Sequence, residues 1–394
     1  MKTNTTIIPL ITVIASLLAA DHAPAQSEVY RPIVKEGDVV GFTKPVPITV
    51  SGFSGEVEQV LRFDLEVQGF KLVSDGTPQY EVTGNNAGSV QARLSDRIGR
   101  TTLFSKAYAG GSLRTQAHAL ADDVVAALTK RKGIGQTKIA FKVDTGAASE
   151  VYIADFDGHN AHQVTRDNTI IAAPVWVPGR MALYYVSYKL GNAHIFHHDL
   201  GTGARSAFAR YGGSNFSPAA SPDGGKVAMI LSKDGWVDLY VSNANGTGLK
   251  RLTRSPQDES SPCWSPDGQW ILFAGKSGER RVLMKVSPNG GEPVRIPTSG
   301  VSNPSEPDWS PDGKWIVFTS QGGGFTICVV PAAGGTAVTL VEGEDPSWSP
   351  NSRTVVFARR TGNGRALSVL DVFTKQYKDV SRISGSNSQP GWAK

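Results

Sequence analysis

Pro262-Cys263-Trp264-Ser265-Pro266-Asp267-Gly268-Gln269-Trp270-Ile271-Leu272-Phe273 reads as a short strand, a tight turn and a second strand. Pro266 presets φ at the first central turn position, Asp267 tolerates the next, and Gly268 releases the chain into the following strand. Trp270 to Phe273 is β-branched and aromatic, as a buried strand requires. The phrase returns almost unchanged at Asp308-Trp309-Ser310-Pro311-Asp312-Gly313-Lys314-Trp315. Weaker copies stand at Ser347-Trp348-Ser349-Pro350-Asn351-Ser352, at Ala220-Ser221-Pro222-Asp223-Gly224 and at Val175-Trp176-Val177-Pro178-Gly179. A sixth is Gln389-Pro390-Gly391-Trp392-Ala393-Lys394. The Trp position marks the series 176, 220, 264, 309, 348 and 392, so the gaps are 44, 44, 45, 39 and 44. A period in the forties with about four short strands per unit is the signature of a β-propeller blade.

Six markers predict six blades. The last marker, Trp392, has an inner strand and nothing after it, while three strands (138–143, 150–155 and 162–165) precede the first marker without an inner strand of their own. The C-terminal strand is therefore expected to complete the blade begun near residue 138, closing the ring without a free edge. The fold class is mainly β: a six-bladed propeller over 137–394 preceded by a small α+β domain.

That first domain is expected over 45–133. Val46 to Val50 reads as a strand, Glu56 to Gln68 as a helix with Val57, Val60, Leu61 and Leu65 on one face, and Phe70 to Val73 as a returning strand. Segments 80–84, 89–94 and 102–106 form an antiparallel meander. A second helix runs from Leu113 to Lys130 with Leu113, Ala117, Leu120, Val124 and Leu128 as its stripe. Lys130, Arg131 and Lys132 are placed in its last turn and Gly133 at its stop. The linker 133–136 is too short to swing freely. Further upstream, Lys2, the uncharged apolar run Ile7 to Ala20 and Ala23-Pro24-Ala25 make residues 1–25 a secretory signal peptide, cut before Gln26. The run is too short for a bilayer span, and no Cys follows it to carry a lipid. Residues 26–44 read as an extended N-terminal arm.

The composition, 40% hydrophobic and 19% charged with 43 Gly for many turns, is that of a globular protein. Its formal charge of +5 is scattered, with no basic run longer than Lys130-Arg131-Lys132, which argues against nucleic acid as a partner. Cys263 and Cys328 fall on strands of neighbouring blades, beyond disulfide reach.

Catalytic patterns are missing. There is no Gly-x-Ser-x-Gly elbow, phosphate loop or paired zinc motif, and His194, His197 and His198 cannot share one face of a strand. The Pro-Asp-Gly aspartates belong to turns. What remains are the loops from the outer strand of one blade to the inner strand of the next: Asp167-Asn168-Thr169, Ser214-Asn215-Phe216-Ser217, Asp258-Glu259-Ser260-Ser261, Asn303-Pro304-Ser305-Glu306, Glu342-Gly343-Glu344-Asp345 and Ser386-Asn387-Ser388-Gln389. All emerge on one face around the channel. They predict a negative rim, suited to a basic or amide-rich protein surface or to a cation in the channel, with no other cofactor. An alternative is an exported propeller that binds or cleaves glycans through acidic channel residues. A Tyr or His base beside Arg would mark lyase chemistry, and none stands at an inner-strand position.

The order of an exported α+β domain, a helix ending in basic residues, Lys138-Ile139-Ala140-Phe141 and then Trp-Ser-Pro-Asp-Gly repeats resembles the TolB family. Ala154-Asp155-Phe156-Asp157-Gly158, Arg251-Leu252-Thr253 and Asn289-Gly290-Gly291 match as well, while the stretch between Val73 and Tyr80 is shorter than the family's. The resemblance implies a monomeric, non-enzymatic periplasmic scaffold of the Tol-Pal envelope system, peripheral to the membrane, supporting outer-membrane integrity and cell division. It implies binding of the peptidoglycan-associated lipoprotein Pal through the propeller face, at positions 214–217, 258–261, 303, 305, 306, 344 and 345. It also implies binding of TolA through Glu28, Val29, Tyr30 and Arg31 of the arm, with other outer-membrane proteins as further partners.

Overall fold

The computed structural model describes residues 39–394, apart from Asp75, Thr77, Asn363, Ser381 and Ile383. The expected signal peptide and the TolA-binding residues Glu28, Val29, Tyr30 and Arg31 lie outside the described residues. The first region contains β1 (Val46–Ser51), α1 (Gly55–Glu66), β2 (Phe70–Leu72), β3 (Tyr80–Asn85), β4 (Gln91–Asp96), β5 (Thr101–Ala107) and α2 (Leu113–Thr129). The sheet order is β2-β1-β3-β4-β5, with β1 parallel to both neighbours and the rest antiparallel. The apolar stripes of the two helices, Val57, Val60, Leu61 and Leu65 with Ala117, Leu120, Val124 and Leu128, are buried against this sheet. Each such leucine contributes roughly 1.5–3 kcal/mol of burial.

The end of α2 differs from expectation. The helix stops at Thr129, Lys130 itself adopts the left-handed cap at φ 58, and no basic residue lies in the last turn. Arg131 instead donates to the backbone carbonyls of Asn351 and Ser352, 3.3 and 3.4 Å away in the propeller. A docking contact has taken the residue that the helix dipole would otherwise have used.

The propeller has six four-stranded sheets. In blade 1, the inner strand Ser386–Trp392 pairs with Lys138–Asp144, so the C-terminal strand closes the ring as the spacing predicts. The inner strands of blades 2 to 6 are Ile171–Trp176, Asn215–Ala220, Ser260–Trp264, Pro304–Trp309 and Glu344–Trp348. Trp392 is buried, stacks on Phe156 at 6.1 Å and donates its indole N–H to Thr137 Oγ1 at 2.8 Å. Cys263 and Cys328 are both free thiols.

The aspartate turns are built as their residue types require. Asp267 Oδ1 accepts from Ser265 Oγ at 2.5 Å and from the Gln269 N–H at 3.0 Å, while Gly268 takes φ 69. In blade 6, Asn351 replaces the aspartate and Ser352 sits at φ 55 in place of glycine. Its hydroxyl accepts the Asp312 N–H from the neighbouring blade at 2.9 Å, a contact that glycine could not make.

The first region packs under blades 1 and 6, always against the turns on the Pro-Asp-Gly side of the ring. Arg114 pairs with Asp157, and His118 Nδ1 lies 2.7 Å from Asp64 Oδ2. Phe156 packs within 5.8 Å of both Phe63 and His118. Asp64 is buried, which pushes its carboxyl up to about 6. Gln376 Nε2 donates to the Phe70 carbonyl at 3.3 Å. The linker is pinned where the Gly135 N–H meets Asp122 Oδ1 at 2.8 Å. The last residues of the expected arm also dock here: the Gly41 N–H reaches the Val372 carbonyl at 2.9 Å, and Val40 joins the core of blades 5 and 6. Among the described residues, no part of the first region packs on the opposite face of the ring.

Candidate functional site

On that open face the loops between blades bond to the hairpin loop of one of the two blades they join. Examples are Ser149 N–H to the Thr169 carbonyl (3.0 Å), Glu259 N–H to Val237 (3.2 Å), Gln321 N–H to Ser302 (3.1 Å) and Gly343 N–H to Phe325 (2.9 Å). Such ties hold the loops as a rigid platform around the channel.

The channel mouth is set by a feature repeated in every blade. Each inner strand carries a proline two residues before the Trp position, which removes a ladder donor and forces a bulge. The residue before each proline takes the left-handed region: Ala173, Ser217, Ser261, Glu306, Asp345 and Gln389, with φ between 49 and 56. Non-glycine residues reach this region at a cost of about 1–3 kcal/mol each. The six positions form a ring around a hollow of about 220 Å³. Half of the ring is wired: the Asp345 N–H donates to Glu306 Oε2 (3.0 Å), the Gln389 N–H to Asp345 Oδ2 (3.1 Å) and the Ala173 N–H to Gln389 Oε1 (2.9 Å). Ala173 has no acceptor to continue the relay. Burial, with Glu306 and Glu344 nearby, raises the carboxyl pKa of Asp345. Glu306 and Asp345 are the two carboxylates of the ring; the other positions offer hydroxyls, a carboxamide and a methyl. Among the described residues, no group of three or more His, Cys, Asp or Glu side chains is arranged to hold a metal ion.

The sequence-predicted residues divide into three groups. Glu306, Asp345, Ser217 and Ser261 reach the channel ring. Asp258, Ser214 and Asn303 stay on the platform, and Ser260 Oγ accepts from Arg281 at 2.9 Å. The others are structural. Asn215 is fully buried and donates to the Ala193 and Tyr211 carbonyls at 3.1 and 3.0 Å. Ser305 is buried and accepts from Gln321 Nε2 at 2.9 Å. Phe216 is half-buried and packs against both the core between blades 2 and 3 and the core between blades 3 and 4, so it is not freely offered to a partner.

The negative rim is overturned. Glu259 is 6% exposed, and its carboxylate accepts the Leu239 N–H (2.9 Å) and the Thr253 hydroxyl (2.5 Å). Burial pushes that carboxyl up to about 7. Glu344 is 5% exposed and paired with Arg365 and Arg360. Buried acids of this kind satisfy loop and strand donors and leave little negative charge for solvent. The exposed charged residues on the platform are instead Arg166, Lys189, Arg210, Lys233, Arg254, Lys276, Arg280 and Arg360, against Asp234, Asp258, Glu279 and Glu342, with Lys189, Lys233 and Arg360 held in ion pairs to Asp167, Asp234 and Glu344. The face leans cationic. On the same loops Ile170, Leu190 and Trp236 are about half exposed. Sequence reasoning missed these residues because the cations are spread one or two per loop and form no run. The proline two residues before each Trp marker was the available signal for the ring.

The family described as the TolB beta propeller domain matches residues 125–394 of the chain. The "Tol-Pal system protein TolB" of Bordetella pertussis is 31% identical over 206 residues, which are 52% of this chain and 47% of the relative. The match thus spans about half the length of such curated relatives. A crystal structure of TolB from Acinetobacter baumannii superposes with a TM-score of 0.81 at 24% identity, covering 90% of this chain and 98% of the other. A chain in a crystal structure of a nidogen/laminin complex has a TM-score of 0.56 at 11% identity, covering 66% of this chain and 98% of that one, a likeness of fold alone. No helix among the described residues is long and apolar enough to cross a membrane.

Proposed function

The chain belongs to the TolB β-propeller family, and on that premise we propose that it is an exported, periplasmic scaffold that docks Pal on the open loop face of its propeller. The supporting observation is the platform itself. It is rigid, it lies on the side of the ring away from the first domain, and it carries exposed cations beside half-exposed Ile170, Leu190 and Trp236. Cationic rims steer acidic partners, and the apolar groups supply contact once the partner has arrived. The docking partner therefore offers an acidic surface, the reverse of what the loop acids suggested. The resemblance adds TolA as the partner of Glu28, Val29, Tyr30 and Arg31. The role is one of binding, with no turnover.

The test is the association rate with purified Pal, measured by surface plasmon resonance at two salt concentrations. The triple variant Arg254→Glu, Lys276→Glu, Arg280→Glu is expected to associate at least tenfold more slowly at low salt. The deficit should shrink as salt screens charges beyond roughly 10 Å at 0.1 M. Association at the wild-type rate under both conditions would refute the assignment.

A further inference from the structure

Below the ring of left-handed residues the channel widens, on the Pro-Asp-Gly side, into a second cavity of about 530 Å³. Among the described residues, none of its wall comes from the first domain or from the loop platform. Trp176, Trp264, Trp309 and Trp392 contribute to the wall together with prolines of the inner strands and turns. Every one of these indoles has already committed its N–H: Trp176 to Gly391 O (3.1 Å), Trp264 to Ala219 O (2.9 Å), Trp309 to Gly313 O (3.2 Å) and Trp392 to Thr137 Oγ1 (2.8 Å). Prolines have no N–H to offer. The wall is therefore largely apolar and without spare indole or proline donors; the Ser347 hydroxyl is turned to Asp308 Oδ2 at 3.4 Å, and the charged groups are the carboxylate of Asp308 and the ammonium of Lys394.

These two charged groups are not equivalent. The Asp308 carboxylate is fixed to the wall, because its Oδ2 accepts the Trp348 N–H at 2.7 Å, and its side chain is 14% exposed. Lys394 Nζ lies 2.7 Å from both carboxylate oxygens, on a side chain that is 32% exposed and carried by a flexible stem. An ammonium thus already occupies the anchor point, supplied by the chain itself. The volume falls within the range of small-molecule sites, and one fixed polar group in an apolar hollow is what orients a ligand there.

We infer that this cavity is a binding site for a small organic ammonium ion on an apolar or aromatic body, anchored by Asp308, with Lys394 as the internal occupant that the ligand displaces. Removing the lysine leaves a partly buried carboxylate without its counter-charge, which favours an incoming cation. The site is independent of the docking platform, so its failure and that of the docking reading are separable.

The test titrates the full chain with 2-phenylethylammonium and, separately, with its neutral counterpart 2-phenylethanol, following tryptophan fluorescence. Four of the chain's eight tryptophans line the cavity, so occupancy should change the signal. The ammonium should bind saturably and at least tenfold more tightly than the alcohol. Asp308→Asn should remove that preference, and Lys394→Ala should tighten ammonium binding severalfold while leaving the alcohol unchanged. If Asp308→Asn does not fold, Lys394→Ala decides alone. Absence of saturable binding, equal affinity for the two probes, or a Lys394→Ala variant that binds the ammonium no better than wild type would overturn the site.

Discussion

Replacing Trp392 by alanine probes the closure of the ring at one side chain. The indole is 3% exposed, stacks on Phe156 at 6.1 Å and spends its N–H on Thr137 Oγ1. Trp→Ala in a core costs about 3–5 kcal/mol, and the lost hydrogen bond adds roughly 1 kcal/mol. A loss of about 5 kcal/mol corresponds to a fall in melting temperature on the order of 10 °C for a domain of this size. Phe156 also touches His118 and Phe63 of the first domain, so the perturbation reaches both the closing strand and the domain contact. Differential scanning calorimetry of the full chain reads the effect, with the half-exposed Trp236→Ala as control, expected within about 0.5 kcal/mol of wild type. A drop of less than about 2 °C, or one equal to the control, would refute the reasoning that the last strand locks the ring.

Three other outcomes follow from the same contacts. Glu259→Lys should destabilise by at least about 3 kcal/mol in urea unfolding, because it buries a charge against the Leu239 N–H and the Thr253 hydroxyl, whereas the exposed Asp258→Lys should stay within about 0.5 kcal/mol. The folded-state pKa of Glu259 is raised from 4.5 to about 7, so its contribution to stability is fully present below pH 4.5 and is lost as pH rises through 7. The melting temperature of Glu259→Gln should therefore fall less between pH 5 and pH 8 than that of wild type. Arg131→Ala, which removes two bonds from α2's end to the blade 6 turn, should lower stability by about 1–2 kcal/mol and speed hydrogen exchange at 351–354.

The ring was legible in the sequence because its period is written in residues that only a strand–turn–strand unit explains. The Trp marker, the Ser-Pro-Asp-Gly turn and the lone last strand each have a local cause. The burial of Glu259 was not legible, since the hydroxyl that closes on it belongs to Thr253 across a loop, and a loop acid looks the same in sequence whether solvated or sealed. The cationic platform was hidden for a related reason: Arg210, Arg254 and Arg280 lie far apart in the chain, and only the ring brings their loops onto one face. The left-handed ring at Glu306 and Asp345 was half visible, because the following proline shows in the sequence but the positive φ that it accompanies does not. Lys130 and Arg131 show the same limit, since helix chemistry alone could not foresee a propeller turn waiting for the arginine.

The most direct measurement of the docking reading is hydrogen–deuterium exchange of the full chain with and without saturating purified Pal. Protection is predicted in the platform loops, at 209–214, 254–259 and 277–281, with the turns at 266–269 and 311–314 unchanged. Protection confined to those turns or to the first domain, or none at saturation, would contradict it.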